Sequence, residues 1–177
     1  MKIYTGRGDE GMTDLRTMER VSKSNKRIEA YGSVDEVNAL VGRARPTGYD
    51  DVDTDLEQVQ NHLHIVQADL ANPETDEDDP AMAEHHVETI EECIDSYDAD
   101  LEPLEDFILP GGAESGAELH HARAVCRRAE RRTVALLETA EANTLTAVYL
   151  NRLSDLLFTL ARTVNAREGV VEENPTY

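Results

Sequence analysis

Residues 4–13, Tyr4-Thr5-Gly6-Arg7-Gly8-Asp9-Glu10-Gly11-Met12-Thr13, place three glycines, two threonines and a cation within ten positions. Glycine lets backbone N–H groups approach an anion closely, and hydroxyls can complete such a cradle. The stretch lacks G-x-x-x-x-G-K-[ST], so it is not a Walker A loop, and a plain flexible turn is the competing reading. A second chemistry-bearing run is Leu119-His120-His121-Ala122-Arg123-Ala124-Val125-Cys126-Arg127-Arg128-Ala129-Glu130-Arg131. Arg123, Arg127 and Glu130 step by four and three, so they share one helical face, with Arg131 continuing it and Arg128 turned away. Such a face suits an anion. It also suits surface arginines pairing with acidic residues elsewhere, and Asp35 offers a buried partner for one of them. Asn151, Arg152 and Asp155 interrupt a later apolar run, where a polar group must find partners or cost about 1–3 kcal/mol.

The six histidines fall as His62 and His64, His85-His86 and His120-His121, none at convincing ligand spacing. Glu118 and His121 form a single Glu-x-x-His unit, whereas a ferritin-like dinuclear centre needs two such units plus two further carboxylates. A di-iron reading is therefore opposed, and no residue is assigned as a metal ligand.

Charge is sorted along the chain. Between Pro46 and Ala122 there is no lysine or arginine but 23 Asp and Glu, while the flanking segments hold all 17 cations of a chain with net charge −20. Such a surface repels nucleic acid and anionic membrane, so cations retained in two clusters point to a small anionic ligand. The excess of anions further suggests a halophilic host, whose salt screens self-repulsion to a few Å. Cys93 and Cys126 lie 33 residues apart without a C-x-x-C pattern and read as small hydrophobes in a reducing compartment. The N-terminus lacks a signal-peptide apolar run, and no stretch approaches the roughly 20 apolar residues that span a bilayer. A cytoplasmic protein is expected.

At 177 residues one domain is the default. Helical spacing dominates, predicting an all-α bundle of five helices. Ile28 to Arg45 forms the first, with Ser33 and Glu36 as an internal capping-type pair and Gly32 marking a candidate start. Leu56, Val59, Leu63, Val66 and Leu70 define the second, opened by a Thr54–Glu57 capping box. Val87, Ile90, Ile94, Tyr97 and Leu101 define the next, behind a solvated connection from Asn72 to Pro80. Ser115 and Glu118 form a capping box after the Pro110-Gly111-Gly112 breaker, opening a long helix to about Thr139 that carries the arginine face. Leu150, Leu153, Leu157, Leu160 and Val164 define the last helix. Met1 to Lys26 shows no sustained period and is expected as a loop that orders on binding; the tail after Arg167 is expected to fray.

In order along the chain, KIYTGRGDEGMT (2–13), RIEAYGSVDEVNALVG (27–42), FILPGG (107–112), LHHARAVCRRAER (119–131) and LNRLSDLLFTLAR (150–162) resemble the PduO-type ATP:cob(I)alamin adenosyltransferases. The resemblance implies a five-helix up-down bundle assembled as a homotrimer, with active sites between neighbouring subunits. It divides the single domain into a nucleotide-binding loop (1–26), the bundle (27–168) and a flexible tail (169–177). The nucleotide and its triphosphate would lie on Thr5, Gly6, Arg7, Gly8, Thr13 and Lys23, completed by Arg127, Arg128, Ala129, Glu130, Arg131 and Asn151. Arg123 would pair with Asp35 across the subunit interface. Phe107 matches the aromatic that crowds the lower face of the corrin. The family usually carries lysine after the first threonine of the loop; here that position is Gly6, and Arg7 is the neighbouring cation.

The implied reaction is attack of cobalt in cob(I)alamin on the 5′ carbon of ATP, forming adenosylcobalamin and expelling triphosphate. Arginines, Lys23, backbone N–H donors and Mg²⁺ would stabilise the charge on the leaving group, and the bundle would hold cobalt and carbon in line. An apolar Phe107 would exclude an axial ligand from cob(II)alamin and ease its reduction. A reductase and a cobalamin-dependent acceptor enzyme are candidate partners. The alternative function is a non-catalytic nucleotide- or cobalamin-binding carrier or regulator, for which the Gly6 departure is the foothold.

Overall fold

The computed structural model describes residues 3–74 and 78–177. Thr75 to Glu77, in the middle of the expected Asn72–Pro80 connection, and the first two residues of the expected N-terminal loop lie outside the described residues. Five helices follow a short hairpin: β1 Met12–Asp14, β2 Arg20–Ser22, α1 Lys26–Ala44, α2 Asp50–Ala71, α3 Glu84–Asp98, α4 Glu114–Leu137 and α5 Leu145–Arg167. The hairpin is antiparallel, with Thr13 opposite Val21, and revises the expectation of an irregular N-terminal loop. Periodicity could not reveal it, because three-residue strands are too short to alternate. Leu15 and Val21 anchor the hairpin by burial, and Lys26 Nζ donates to the Ala135 carbonyl at the far end of α4.

α1 packs against α2 and α4, α4 against α5, and α3 against α5. Every apolar position named for α2 is buried, as are Leu150, Leu153, Leu157, Leu160 and Val164 on α5, so the 3.6-residue pattern locates the core. Among the described residues, no helix is long and apolar enough to cross a membrane. Both cysteines are free, Cys126 buried and Cys93 half-buried.

Helix starts depart from the expected capping pairs. α1 begins at Lys26, where Asn25 Oδ1 accepts from the Arg27 N–H at 2.9 Å; Gly32 is therefore interior, and Ser33 Oγ donates to the Glu29 carbonyl at 2.6 Å. Arg45 is held extended before Pro46, which ends the helix. α2 starts at Asp50 instead of at Thr54, whose hydroxyl donates to the Asp50 carbonyl at 2.7 Å. Three aspartates in that first turn favour the positive end of the helix dipole, and Asp53 Oδ1 accepts from the Thr47 N–H at 2.8 Å. α4 starts at Glu114, and Ser115 caps nothing; Glu118 instead meets Arg43 at 2.6 Å. Ser33 and Thr54 each spend the hydroxyl on a carbonyl four residues back in the same helix, so neither caps a start.

The turn ahead of α4 is fixed from α5. Asn165 Oδ1 accepts from the Ala113 N–H at 2.9 Å and Asn165 Nδ2 donates to the Gly111 carbonyl at 2.9 Å. Gly112 has φ +113°, and a Cβ there would lie 2.2 Å from Asn165 Oδ1, so glycine is required on both counts. The tail, expected to fray, is tied down: Val170 N–H donates to the Asn165 carbonyl at 2.9 Å and Leu109 N–H to the Glu173 carbonyl at 2.7 Å.

Candidate active site

The residues expected at the site fall into three neighbourhoods of the chain. The first is the N-terminal loop. Gly6 and Gly11 adopt φ +75° and +76°, left-handed turns that glycine alone enters freely, and Asp9 and Gly11 N–H groups close the turns onto the Gly6 and Gly8 carbonyls. Lys23 Nζ covers Gly8 so closely that a Cβ would lie 3.0 Å from it. Arg7, the neighbour of Gly6, is committed to Asp14 on β1 at 2.9 Å, while Arg20 Nη2 donates to the Arg7 carbonyl at 3.0 Å. Thr5 is exposed and Thr13 half-buried on β1.

The second neighbourhood is the groove between α4 and α5. Asn151 Nδ2 donates to Glu130 Oε1 at 3.0 Å, and Arg131 Nη1 reaches back to the Arg127 carbonyl at 2.9 Å. Ala129 is fully buried beneath them, whereas Arg127 and Arg131 are exposed. Arg128 turns to α1, where it pairs with Glu36, and Arg132 Nη1 donates to Ser33 Oγ at 2.6 Å. The choice between an anion site and paired surface arginines is met by which cations the acidic middle captures. Arg16 pairs with Asp79, Arg43 with Glu118, Arg45 with Glu57, Arg152 with Glu91 and Arg167 with Asp51. Among the described residues, Arg123, Arg127 and Arg131 form no ion pair. In a chain carrying net charge −20, cations kept free of carboxylates are available to an external anion.

The third neighbourhood is an aromatic cleft of about 530 Å³ whose walls include Phe107, Ile108, Arg123 and Phe158. Phe107 is 77% exposed, and the Arg123 guanidinium lies 5.7 Å from the Phe158 ring centre. His120 lies behind, its ring 5.9 Å from Phe158; burial and then Arg123 hold it below the ordinary imidazole pKa, keeping it neutral. Sequence reasoning missed Phe158, whose signal is its place two helical turns beyond Asn151 on the same helix, about 10 Å along the axis. Asp35, expected as a buried partner, is exposed on α1, one residue past the buried Val34, and no ion pair joins it to Arg123 within the chain.

Among the described residues, no hydrogen bond or ion pair joins Thr5, Arg7, Thr13 or Lys23 to Arg127, Arg131 or Asn151. The groove and the cleft, by contrast, share α4 and α5, because Arg123 and Arg127 are one turn apart. Fold and site together define a five-helix bundle with a cationic face next to an apolar aromatic cleft, suited to a polyanion and a large flat ligand side by side.

Comparisons with known proteins place this class. The sequence profile of the cobalamin adenosyltransferase family matches residues 3–164. A corrinoid adenosyltransferase of Bacillus subtilis is 42% identical over 175 residues, covering 96% of this chain and 90% of that protein. One of Mycobacterium tuberculosis is 44% identical over 171 residues, covering 93% and 89%. A phenylalanine-to-alanine variant of the PduO-type ATP:corrinoid adenosyltransferase from Lactobacillus reuteri, complexed with cobalamin and ATP, superposes with a TM-score of 0.93 at 34% identity, covering 99% of this chain and 100% of that one. The chain belongs to the cobalamin adenosyltransferase family, in its PduO-type branch.

Proposed function

We propose that the chain transfers the 5′-deoxyadenosyl group of ATP to the cobalt of cob(I)alamin, yielding adenosylcobalamin and triphosphate. The observation that carries this reading is the run of α4 arginines without an ion pair among the described residues, Arg123, Arg127 and Arg131, of which Arg123 also lines the Phe107–Phe158 cleft. The cationic part suits a triphosphate and the aromatic part a corrin ring.

In the reaction the cobalt lone pair forms the bond to C5′, the C5′–O bond breaks, and its electron pair leaves on the triphosphate. No protein nucleophile or general base is needed. Arg127, Arg131 and Asn151 stabilise charge that grows on the leaving oxygen, and glycine-loop N–H groups with Thr5, Thr13 and Lys23 hold the remaining phosphates. Holding cobalt and carbon in line converts a bimolecular encounter into a step within one complex. The donor set also fits Mg²⁺ riding on the phosphates, since Glu130 presents a carboxylate on the cationic face, the hard oxygen ligand that ion prefers; when bound, the ion would neutralise triphosphate charge. Phe107 fills the space below the corrin and keeps an axial ligand away from cob(II)alamin, so that reduction to cob(I)alamin becomes easier.

The separation of the N-terminal loop from the α4–α5 groove supports assembly. In a homotrimer, the loop and Asp35 of one subunit would complete the groove of the next, and Asp35 would find Arg123 there. A reductase would deliver the electron, and a cobalamin-dependent enzyme would accept the product.

The test mixes the protein, MgATP and chemically reduced cobalamin and follows the absorbance change to adenosylcobalamin. Turnover is expected. Binding of both substrates without conversion would overturn the enzyme reading in favour of a carrier. A native mass equal to one chain would overturn the shared site.

A further inference from the structure

Between α3 and α4 the chain crosses residues 99–113, and Phe107 lies exposed within this loop. Two clefts border it: the aromatic cleft and a second of about 790 Å³, lined among others by Leu104, Ile108, Arg162 and Glu172. Leu104 and Ile108 border both clefts, so the segment carrying Phe107 forms a wall they share, and every residue from Glu102 to Leu109 except the half-buried Ile108 is exposed. Such a wall keeps its position only through the bonds at its ends.

One end is fastened to Arg162 of α5 and the other to the C-terminal tail, which Arg162 also holds. Arg162, 4% exposed on α5, donates from Nε to Glu172 Oε1 at 2.8 Å and from Nη2 to Glu172 Oε2 at 3.2 Å. The same Nη2 donates to the Glu102 carbonyl at 2.8 Å, before the wall begins. After the wall, Leu109 N–H donates to the carbonyl of Glu173, the next residue of the tail, at 2.7 Å. The Arg162 guanidinium also lies 6.0 Å from the ring centre of Phe158, the other aromatic lining Phe107's cleft. One buried, forked cation therefore joins the loop, the tail and the aromatic wall, a geometry that a lysine ammonium cannot reproduce.

Resting on the reading of Phe107 given above, we propose that Arg162, through Glu172, is a positioning residue for Phe107. Arg162 holds the first end of the loop directly and, through Glu172, the tail that holds the other end, and so sets where the aromatic ring stands in its cleft. Loosening the fastening lets Phe107 retreat, which penalises the route that depends on excluding an axial ligand more than the route that starts from cob(I)alamin.

The experiment uses the full chain with MgATP and compares wild type with Glu172→Ala, whose helical content far-ultraviolet circular dichroism would verify. Hydrogen exchange at residues 103–109 should accelerate at least about tenfold in Glu172→Ala. The ratio of the rate from cob(II)alamin plus reductant to the rate from pre-reduced cob(I)alamin should fall about tenfold, with a smaller fall in Glu172→Gln, which keeps an acceptor for Arg162 Nε. Unchanged exchange would overturn the proposal whatever the rates do. Faster exchange with an unchanged ratio, while Phe107→Ala lowers that ratio, would leave the reading of Phe107 standing and overturn the positioning role. If Phe107→Ala itself leaves the ratio unchanged, the assignment of Phe107 is what fails, and the exchange measurement decides whether Arg162 and Glu172 hold the loop.

Discussion

Arg27 donates to three carbonyl oxygens, those of Leu70 at 2.7 Å, Asn72 at 3.4 Å and Glu141 at 3.0 Å, whereas Arg127 on α4 donates to nothing among the described residues. Burial lowers the Arg27 pKa, and the carbonyls at the end of α2 compensate for its lost water. Arg127 lies exposed at the surface of an acidic molecule. One guanidinium joins α1, the end of α2 and the approach to α5; the other has no protein partner among the described residues. On the proposed reading, partner saturation, more than charge, separates the structural cation from the functional one.

The largest effect should come from Arg127→Ala, which is expected to slow transfer from cob(I)alamin by about 10²–10³. Thermal unfolding should be nearly unchanged, and an unaltered rate would remove Arg127 from the phosphate site. The reciprocal change, Arg27→Met, should cost about 2–3 kcal/mol in urea unfolding, because it strands buried carbonyls. Its rate per folded molecule should match wild type, and a selective loss of rate would blur the division between the two arginines.

Phe107→Ala sharpens the contrast on the aromatic side of the groove. It should lower the rate from cob(II)alamin at least about tenfold more than the rate from cob(I)alamin, a difference of about 1.4 kcal/mol in barrier. Equal losses by the two routes would exclude the ligand-displacing role.

A buried base with an unbonded ring nitrogen provides the smallest and most informative test. His62, 8% exposed, lies 4.8 Å from the His86 ring, and its Nδ1 has no hydrogen-bond partner. Burial, then His86 and His85, lower its pKa from 6.5 to about 4. The unfolded chain therefore takes up a proton first, so stability is full above pH 6.5 and falls as pH drops towards 4. On the order of 1–2 kcal/mol should be lost between pH 7 and pH 5 in urea titrations, and His62→Leu should flatten that slope. A slope unchanged by the substitution would assign acid sensitivity to other groups.

The apolar stripe of α2, from Leu56 to Leu70, was fully legible because burial of one helical face leaves a 3.6-residue period in the chain. The arginine face on α4 was legible for the same reason, since Arg123, Arg127 and Glu130 lie on a single helix. Capping was not: Thr54 and Ser115 have the right spacing but sit inside their helices, because Asp53 and Asn165 already supply the partners that fix those starts. Nor was the convergence of His62 with His86, or of Phe158 with Phe107, legible, since each pair joins segments far apart in sequence.

By itself the sequence determined the helical bundle, the sorting of charge and the ordered blocks that mark the family, because each is written in the local spacing of residue types along one chain. Only the tertiary structure decided which arginines the acidic middle would capture, where the aromatic cleft would open and how the tail would fasten the Phe107 loop. Those outcomes depend on distances between separate segments, and the bonds a side chain makes are settled by which neighbours packing brings within about 3 Å.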